Sequence, residues 1–223
     1  MLRSLRLEQF DNYKKYCHLG LYGDLDSMQT SLNVIMKGAV FPLEKSISES
    51  EDEMKNDIVY EDGEELYTTV DYLDYYNNIN AKTIIYNSSI ISVYSFLETR
   101  LLLLCNLLDT NFSINKKDNT AYITQCKNYL SENHNIDFKL IEKDWQIILS
   151  YQTLRNELVH NSILEIPKSQ INLWKIKRLR KIKHLKASES NASKIIKFQI
   201  VNKDCIHFFY TKVSKILEFI HYN

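Results

Sequence analysis

The sequence predicts a mainly α-helical protein, in which a small C-terminal β-hairpin and a terminal helix follow a bundle of helices. Only four glycines and two prolines occur among 223 residues, and so few helix breakers favour long helices over a turn-rich sandwich. Apolar residues make up 44 % of the chain and recur at three- and four-residue intervals over long stretches, as they do in helices with one buried face. A chain of this length can bury a substantial core, so we expect a single domain spanning 1–223.

The N-terminal region, 1–43, shows two helical stripes that Gly20 and Gly23 separate. The stripes consist of Leu7, Phe10, Tyr13 and Tyr16 in the first helix, and of Met28, Leu32, Ile35 and Met36 in the second. Residues 44–65 hold ten acids but only two lysines, and we expect them to form an exposed acidic loop. The tyrosine-rich stretch at 67–80 is interpreted as partly buried surface between helices, with stacking on RNA bases as the alternative.

The helical core is expected within 66–166. Its most apolar helix, over 84–108, carries a stripe at helical spacing: Ile91, Tyr94, Leu97, Leu101, Leu104 and Leu108. A short helix over 121–132 follows a polar loop. A longer helix is predicted over 138–163, and Pro167 is expected to prevent its continuation.

The C-terminal part, 167–223, begins with a strongly basic segment, 168–186, which holds eight Lys or Arg and no acid. Apolar residues recur in it every three positions and predict a helix with one apolar stripe: Ile176, Leu179, Ile182 and Leu185. A solvated helix face is the plainer interpretation of these charges, and a contact surface is the functional one. Residues 197–201 and 205–208 flank a short polar turn and predict a β-hairpin, after which 210–221 returns to helix.

Cysteine spacing and the N-terminal sequence limit which cofactors and which cellular location we expect. The four cysteines are scattered without a C-x-x-C pair, so we expect neither a zinc site nor another cofactor; they are Cys17, Cys105, Cys126 and Cys205. The first residues lack the apolar stretch and cleavage site of a signal peptide. Glu98 and Arg100 lie inside the most apolar helix and argue against a membrane span. We therefore expect a reduced, cytoplasmic protein without a membrane partner.

The most informative stretch is Leu154–Asn161, at the end of the helix predicted over 138–163. It contains Arg155, Asn156 and His160. Asn156 and His160 are four residues apart, so a helix places them on one face. The guanidinium fork of an arginine matches a phosphate, and imidazole titrates near neutral pH. These residue types at this spacing indicate a site that handles a phosphodiester.

The run Arg155-Asn156-Glu157-Leu158-Val159-His160 resembles the R-x4–6-H signature of HEPN ribonucleases. An earlier helix with Ser95-Phe96-Leu97-Glu98-x-x-Leu101 resembles the helical core of the same family, over roughly residues 84–163. The resemblance implies an antiparallel HEPN-like bundle and metal-independent RNA cleavage that leaves a 2′,3′-cyclic phosphate and a 5′-hydroxyl. It also implies a homodimer whose two motifs share one cleft, and a toxin or antiviral-defence role with an antitoxin or a defence-system partner.

Each candidate residue has a role in such a cleavage. His160 serves as general base or acid, Arg155 holds the non-bridging phosphate oxygens, and Asn156 orients the phosphate or the imidazole. Glu98 is expected at the core margin with Arg155 as its partner, in the same chain or across a dimer. Pairing of Glu98 with a nearby lysine is the alternative.

The basic segment supplies the predicted RNA contacts, namely Lys175, Lys177, Arg178, Arg180 and Lys181. A second functional hypothesis is a non-catalytic HEPN-like module that binds RNA, a nucleotide or a partner protein through the same motif residues. A third is a DNA-binding regulator that uses the basic segment, although no helix-turn-helix pattern supports it.

Overall fold

The structure is a computed structural model that describes residues 20–56, 59–61, 64–66, 69–118, 120–161, 164–189 and 194–223. It is mostly helical, with a three-stranded antiparallel sheet and a separate two-stranded hairpin in the described part. The predicted fold class, mainly α with a small C-terminal β element, is confirmed at this level.

The helices follow the chain in order. Helix α1 covers 20–35 and continues through a π-helical turn, Met36–Val40, into α2, Phe41–Asn56. The others are α3, Thr69–Leu108; α4, Tyr122–His134; α5, Glu142–His160; α6, Leu173–Leu179; and α7, Asp204–Tyr222. Short 3-10 turns precede two of them, Phe138–Ile141 before α5 and Gln170–Asn172 before α6.

The strands form two small sheets. β1, Val59–Glu61, pairs antiparallel with β2, Glu64–Leu66. The second sheet consists of β3, Glu165–Pro167, β4, Leu185–Ser188, and β5, Ile195–Ile200, in the order β3-β5-β4 with both pairs antiparallel. Every second residue of β5 is buried, so one face of this sheet packs on the helices and the other faces solvent.

Helix α3 is the centre of the fold, because α2, α4, α5 and α7 all pack against it. Residues at three- and four-residue steps, among them Leu97 and Leu101, are fully buried, as the apolar stripe predicted. By length and composition alone, its stretch Tyr72–Leu108 is long and apolar enough to cross a membrane. The expected absence of a membrane partner therefore stays a prediction.

Helix α7 fixes the position of α5. The ring of Tyr151 stacks on Phe209 with 4.0 Å between centroids, and its hydroxyl donates to the Cys205 carbonyl at 2.8 Å. In the first turn of α5, Asp144 accepts from Lys212 at 2.8 Å and lies 2.5 Å from the ammonium of Lys215. These contacts hold the helix that carries the Arg155–His160 motif.

The predicted acidic loop at 44–65 is wrong in its first part, because α2 is helical through Asn56. Val40 and Ile47 are seven residues apart, two helical turns, and both are buried. Several of the acids lie on the exposed side of the same helix, so a high charge did not prevent it from folding. The second part of 44–65 contains β1 and β2.

The predicted break at Gly20 and Gly23 is not observed either, since both residues lie within α1. The first predicted stripe lies outside the described residues; it comprises Leu7, Phe10, Tyr13 and Tyr16. The helix predicted over 138–163 begins as a 3-10 turn and ends at His160, before Pro167 enters β3.

The predicted C-terminal hairpin has one correct strand. Residues 197–201 largely coincide with β5, but 205–208 form the first turn of α7. The Oδ1 atom of Asn202 accepts a hydrogen bond from the backbone N–H of Asp204, which is the first residue of that helix. The partners of β5 are instead β3 and β4. The first residues of β4 were predicted as the end of a basic helix, but that helix stops at Leu179.

Candidate active site at the end of helix α5

The last two turns of α5 carry the predicted motif. Leu154 and Leu158 are buried one turn apart and hold this part of the helix on the core. The intervening residues consequently reach the surface or its margin. Arg155 is partly buried, whereas Asn156 and His160 are exposed.

The guanidinium of Arg155 is held from three sides. Its Cζ lies 5.6 Å from the ring centroid of Tyr94, and its Nη2 lies 3.9 Å from Oε2 of Glu98. Its Nη1 donates to Oδ1 of Asn156 at 3.2 Å. Its Nε is buried and has no hydrogen-bond partner among the described residues. A phosphate can therefore approach only the outer nitrogens of this side chain.

Glu98 lies where the sequence predicted, at the core margin of α3 and next to Arg155 of the same chain. Burial raises the pKa of its carboxyl, and the nearby Arg155 charge lowers it; burial prevails, so the pKa lies above its usual value. The alternative pairing with a lysine is not seen within the described part of the chain. Glu98 thus positions Arg155, although its charged form is less favourable here than in water.

Tyr94 is a member of the site that sequence reasoning assigned only to the core. Its ring packs under Arg155, while its hydroxyl is buried and forms no hydrogen bond within the described ranges. Burial strongly raises the pKa of this hydroxyl, and the Glu98 carboxylate adds to the effect. Tyr94 precedes Glu98 by four residues, so a helix places both side chains on one face. This spacing could have predicted that Tyr94 also contacts Arg155.

Asn156 and His160 share the exposed face that their spacing predicted. His160 is the last residue of α5, and its imidazole has no hydrogen-bond partner among the residues described. Arg155 lies five residues earlier, roughly 140° around the helix, on the side that faces α3. The structure therefore joins Arg155, Asn156, Glu98 and Tyr94 in one cluster and leaves His160 in solvent at the helix end.

Glu157, inside the motif, links it to the basic segment. Its carboxylate is only 13 % exposed and accepts from Nζ of Lys175 at 2.6 Å. Its second oxygen accepts from Nδ2 of Asn161 at 3.2 Å. Since α6 also packs on α5, the basic segment lies beside the motif. Sequence reasoning missed Glu157 because a lone acid in a helix carries no distinctive signal.

The five predicted RNA-binding cations are not equivalent. Lys175 pairs with Glu157, and Arg180 pairs with Glu189 at 2.9 Å, so these two charges are largely neutralised within the chain. The Cζ of Arg178 lies 5.3 Å from the ring centroid of Trp174. Lys177 and Lys181 are exposed, and no acid pairs with either in the described part. RNA contact by all five residues stays a prediction, and for Lys175 and Arg180 it would compete with these ion pairs.

Within the described residues, no group of three His, Cys, Asp or Glu side chains comes together as a metal site would require. Three described cysteines are free and buried, namely Cys105, Cys126 and Cys205. Cavities of about 170, 370 and 360 Å³ are lined by residues other than Arg155 and His160. Asn156 and His160 are exposed on α5, the helix on which α6 packs.

No protein-family model, curated protein or solved structure matches this chain. The resemblance to HEPN ribonucleases therefore rests on the Arg155–His160 motif and on its helical context.

Proposed function

We propose that this protein is a metal-independent endoribonuclease of the HEPN type, with Arg155, Asn156 and His160 as its catalytic residues. The observation that carries the proposal is the cluster at the end of α5. There Glu98 and Tyr94 orient the guanidinium of Arg155, and an unpaired imidazole lies on the next turn. The surrounding body is mainly α, in keeping with the helical bundle that the resemblance implies.

The reaction requires three events at one phosphate. A base removes the proton of the RNA 2′-hydroxyl, whose oxygen attacks phosphorus and forms the 2′,3′-cyclic phosphate. The outer nitrogens of Arg155 stabilise the charge that accumulates on the non-bridging oxygens. The bond to the 5′-oxygen breaks, and an acid gives that oxygen a proton to yield the 5′-hydroxyl. An imidazole near neutral pH is suited to either proton transfer, and Asn156 can orient the phosphate.

One exposed imidazole serves as base or as acid, but the reaction needs both. A homodimer with two-fold symmetry would present His160 and the partner's His160 to one cleft. Arg155 and His160 point in different directions on α5, and in such a dimer each could meet its counterpart from the partner chain instead. Val159, inside the motif, is an apolar side chain that remains exposed for such a contact.

The biological role follows from the same resemblance. We propose a cytoplasmic toxin or antiviral-defence effector that arrests growth by cutting RNA, held in check by an antitoxin or a defence-system partner. Within this role the basic segment raises the local concentration of RNA through its charge, so that binding depends on salt.

Analysis of the cleavage products tests the proposed chemistry. Purified protein in EDTA should cut single-stranded RNA and leave a 2′,3′-cyclic phosphate and a 5′-hydroxyl. A substrate with a 2′-deoxy or 2′-O-methyl group at the cleavage position should resist, because the attacking oxygen is missing or blocked. Cleavage of this resistant substrate at the normal rate would refute the mechanism.

A non-catalytic binding module is the second candidate, and a specific observation favours it. Arg155 is already engaged by Glu98, Tyr94 and Asn156, and its Nε is buried, as expected for a side chain with a structural role. Such a protein would bind RNA, a nucleotide or a protein partner without cutting. RNA binding without cleavage by the wild-type chain would favour this candidate.

A further inference from the structure

Helix α6 presents an exposed tryptophan next to the motif. Trp174 is 51 % exposed, whereas Trp145, the only other tryptophan in the sequence, is buried. Ile176 and Leu179 on the same helix are buried and face the core. The exposed indole offers a flat apolar face on the outer side of a basic helix, where a ligand with an apolar face of its own can pack.

The surroundings of Trp174 are cationic. The Cζ of Arg178 lies 5.3 Å and the Nζ of Lys175 6.0 Å from its ring centroid. Lys177 and Arg178 follow Trp174 by three and four residues and share its side of the helix. Lys177 and Lys181 have no acidic partner in the described part of the chain. An aromatic ring with free positive charge around it complements a polyanion that carries flat, apolar groups.

This surface is fixed to the motif. The 2.6 Å contact between Lys175 and Glu157 ties α6 to the turn of α5 that also bears Asn156 and His160. Lys175 and Trp174 are neighbours in the sequence. A ligand bound to the tryptophan therefore lies close to the proposed catalytic residues.

We propose that Trp174 stacks on an unpaired base of single-stranded RNA, while Lys177, Arg178 and Lys181 contact the adjacent phosphates. Aromatic side chains in basic surroundings bind single strands in this way, because every base has a π-face and every nucleotide a phosphate. A duplex carries the same phosphates but hides its base faces. The inference rests on the proposed function and extends it, since it names the form of RNA that the site takes.

Binding is measured with the His160→Ala chain, so that cleavage does not interfere, and with a labelled single-stranded RNA of about 12 nucleotides. Fluorescence anisotropy should show that Trp174→Ala weakens binding about tenfold, and that Trp174→Phe, which keeps an aromatic face, weakens it less. Tyr122→Ala is the matched control, because Tyr122 is similarly exposed on α4. It should leave the affinity unchanged.

Two further measurements separate stacking from charge. Single-stranded RNA should quench the emission of Trp174, and the quenching should vanish in Trp174→Phe, since the remaining Trp145 is buried. A blunt duplex of the same length should bind the His160→Ala chain with little dependence on Trp174. Thermal melting of each variant establishes that the fold is retained.

The outcomes distinguish this inference from the proposed function. If wild-type protein cuts RNA while Trp174→Ala binds single strands as tightly as its parent, stacking is refuted and the nuclease proposal stands. If Trp174→Ala loses affinity while wild-type protein never cuts, stacking stands and the nuclease proposal fails. Equal loss of single-strand and duplex affinity in Trp174→Ala would also overturn the stacking inference.

Discussion

Glu98 Oε2 and Arg155 Nη2 lie 3.9 Å apart, at the outer limit of an ion pair, and the pKa of Glu98 is nevertheless raised. Burial of the carboxyl outweighs the attraction of the guanidinium. The contact therefore orients Arg155 at a net cost to the charged form of Glu98. A fold selected only for stability would not require this acid.

The first prediction follows from the raised pKa of Glu98. A carboxyl whose folded pKa exceeds its unfolded value destabilises the protein above the folded pKa, and this penalty disappears below the unfolded pKa. The free energy of unfolding of Glu98→Gln, relative to that of wild type, should therefore increase as the pH rises from 4 to 7. Urea unfolding of both proteins at the two pH values measures the difference. A relative loss of stability toward pH 7 would mean that the pairing with Arg155 outweighs burial.

The second prediction concerns catalysis. His160→Ala and Arg155→Ala should each lower the cleavage rate at least about a hundredfold, because each removes a group that acts in the transition state. Removal of His160 leaves no cavity, since its side chain is exposed, and the melting temperature should stay near that of wild type. His207→Ala is the control for removal of a histidine elsewhere. A His160→Ala protein as active as this control would end the assignment.

Helix α3 and the motif show how much the sequence reveals. The apolar stripe of α3 and the buried Leu154 and Leu158 follow helical spacing, which the packing of the core preserves. A cationic partner for Glu98 was predictable because a carboxylate at a core margin requires one, although the sequence left Arg155 and a lysine as alternatives. The apolar stripes depend only on local helical spacing, and the partner of Glu98 depends only on one pair of charges.

The C-terminal region shows where such rules fail. The three-residue spacing of Ile176, Leu179 and Ile182 marks buried residues correctly, but the chain leaves the helix after Leu179 and passes through His184, whose φ is 64°. The strand that follows is stabilised by β5, which lies beyond a polar connection. Strand formation here depends on a distant partner, which outweighs the local helical pattern.

The third prediction concerns metal ions. Because His160 and Arg155 are proposed to supply acid–base catalysis and charge stabilisation, EDTA should leave the cleavage rate unchanged. Added magnesium should change the rate only as other salts do at equal ionic strength, by screening RNA binding. A strict need for magnesium or manganese would instead point to carboxylates as metal ligands.

The fourth prediction concerns the composite site. Arg155→Ala and His160→Ala chains, each inactive alone, should form a mixed dimer that retains one intact Arg155 and one intact His160 in the shared cleft. Because this combination occurs in neither parent, the activity of the mixture should differ from that of either parent. Light scattering should report a dimer at the assay concentration. A fully active monomer would exclude the shared cleft.

The fifth prediction concerns acid stability. Burial tends to raise the pKa of Asp144, but hydrogen bonds from Lys212 and Lys215 outweigh it and lower the pKa below its ordinary value of 3.8. A lowered pKa contributes stability above the unfolded value, and that contribution disappears as the pH falls through the folded one. Asp144→Asn should therefore cost about 1–3 kcal/mol at pH 7. The difference from wild type should shrink below about pH 4.

Asp74→Asn is the control for this measurement, because Asp74 is an exposed acid on α3. Its unfolding free energy should follow that of wild type at every pH. A constant difference between Asp144→Asn and wild type from pH 7 to pH 3 would contradict the role assigned to the two lysines.

The pairing of β3 with β5 has a consequence for how this chain can change. Pro167 and Ile195 are register partners, and the N–H of Lys168 donates to the carbonyl of Lys194 at 2.7 Å. The chain between Lys168 and Lys194 therefore leaves the sheet and returns to it at the same place. Because its two ends are joined, the entropy of closing this segment depends only slowly on its length. The exposed positions of α6 can therefore vary without loosening the segment, whereas the buried Ile176 and Leu179 and the strand β4 attach it to α5 and β5.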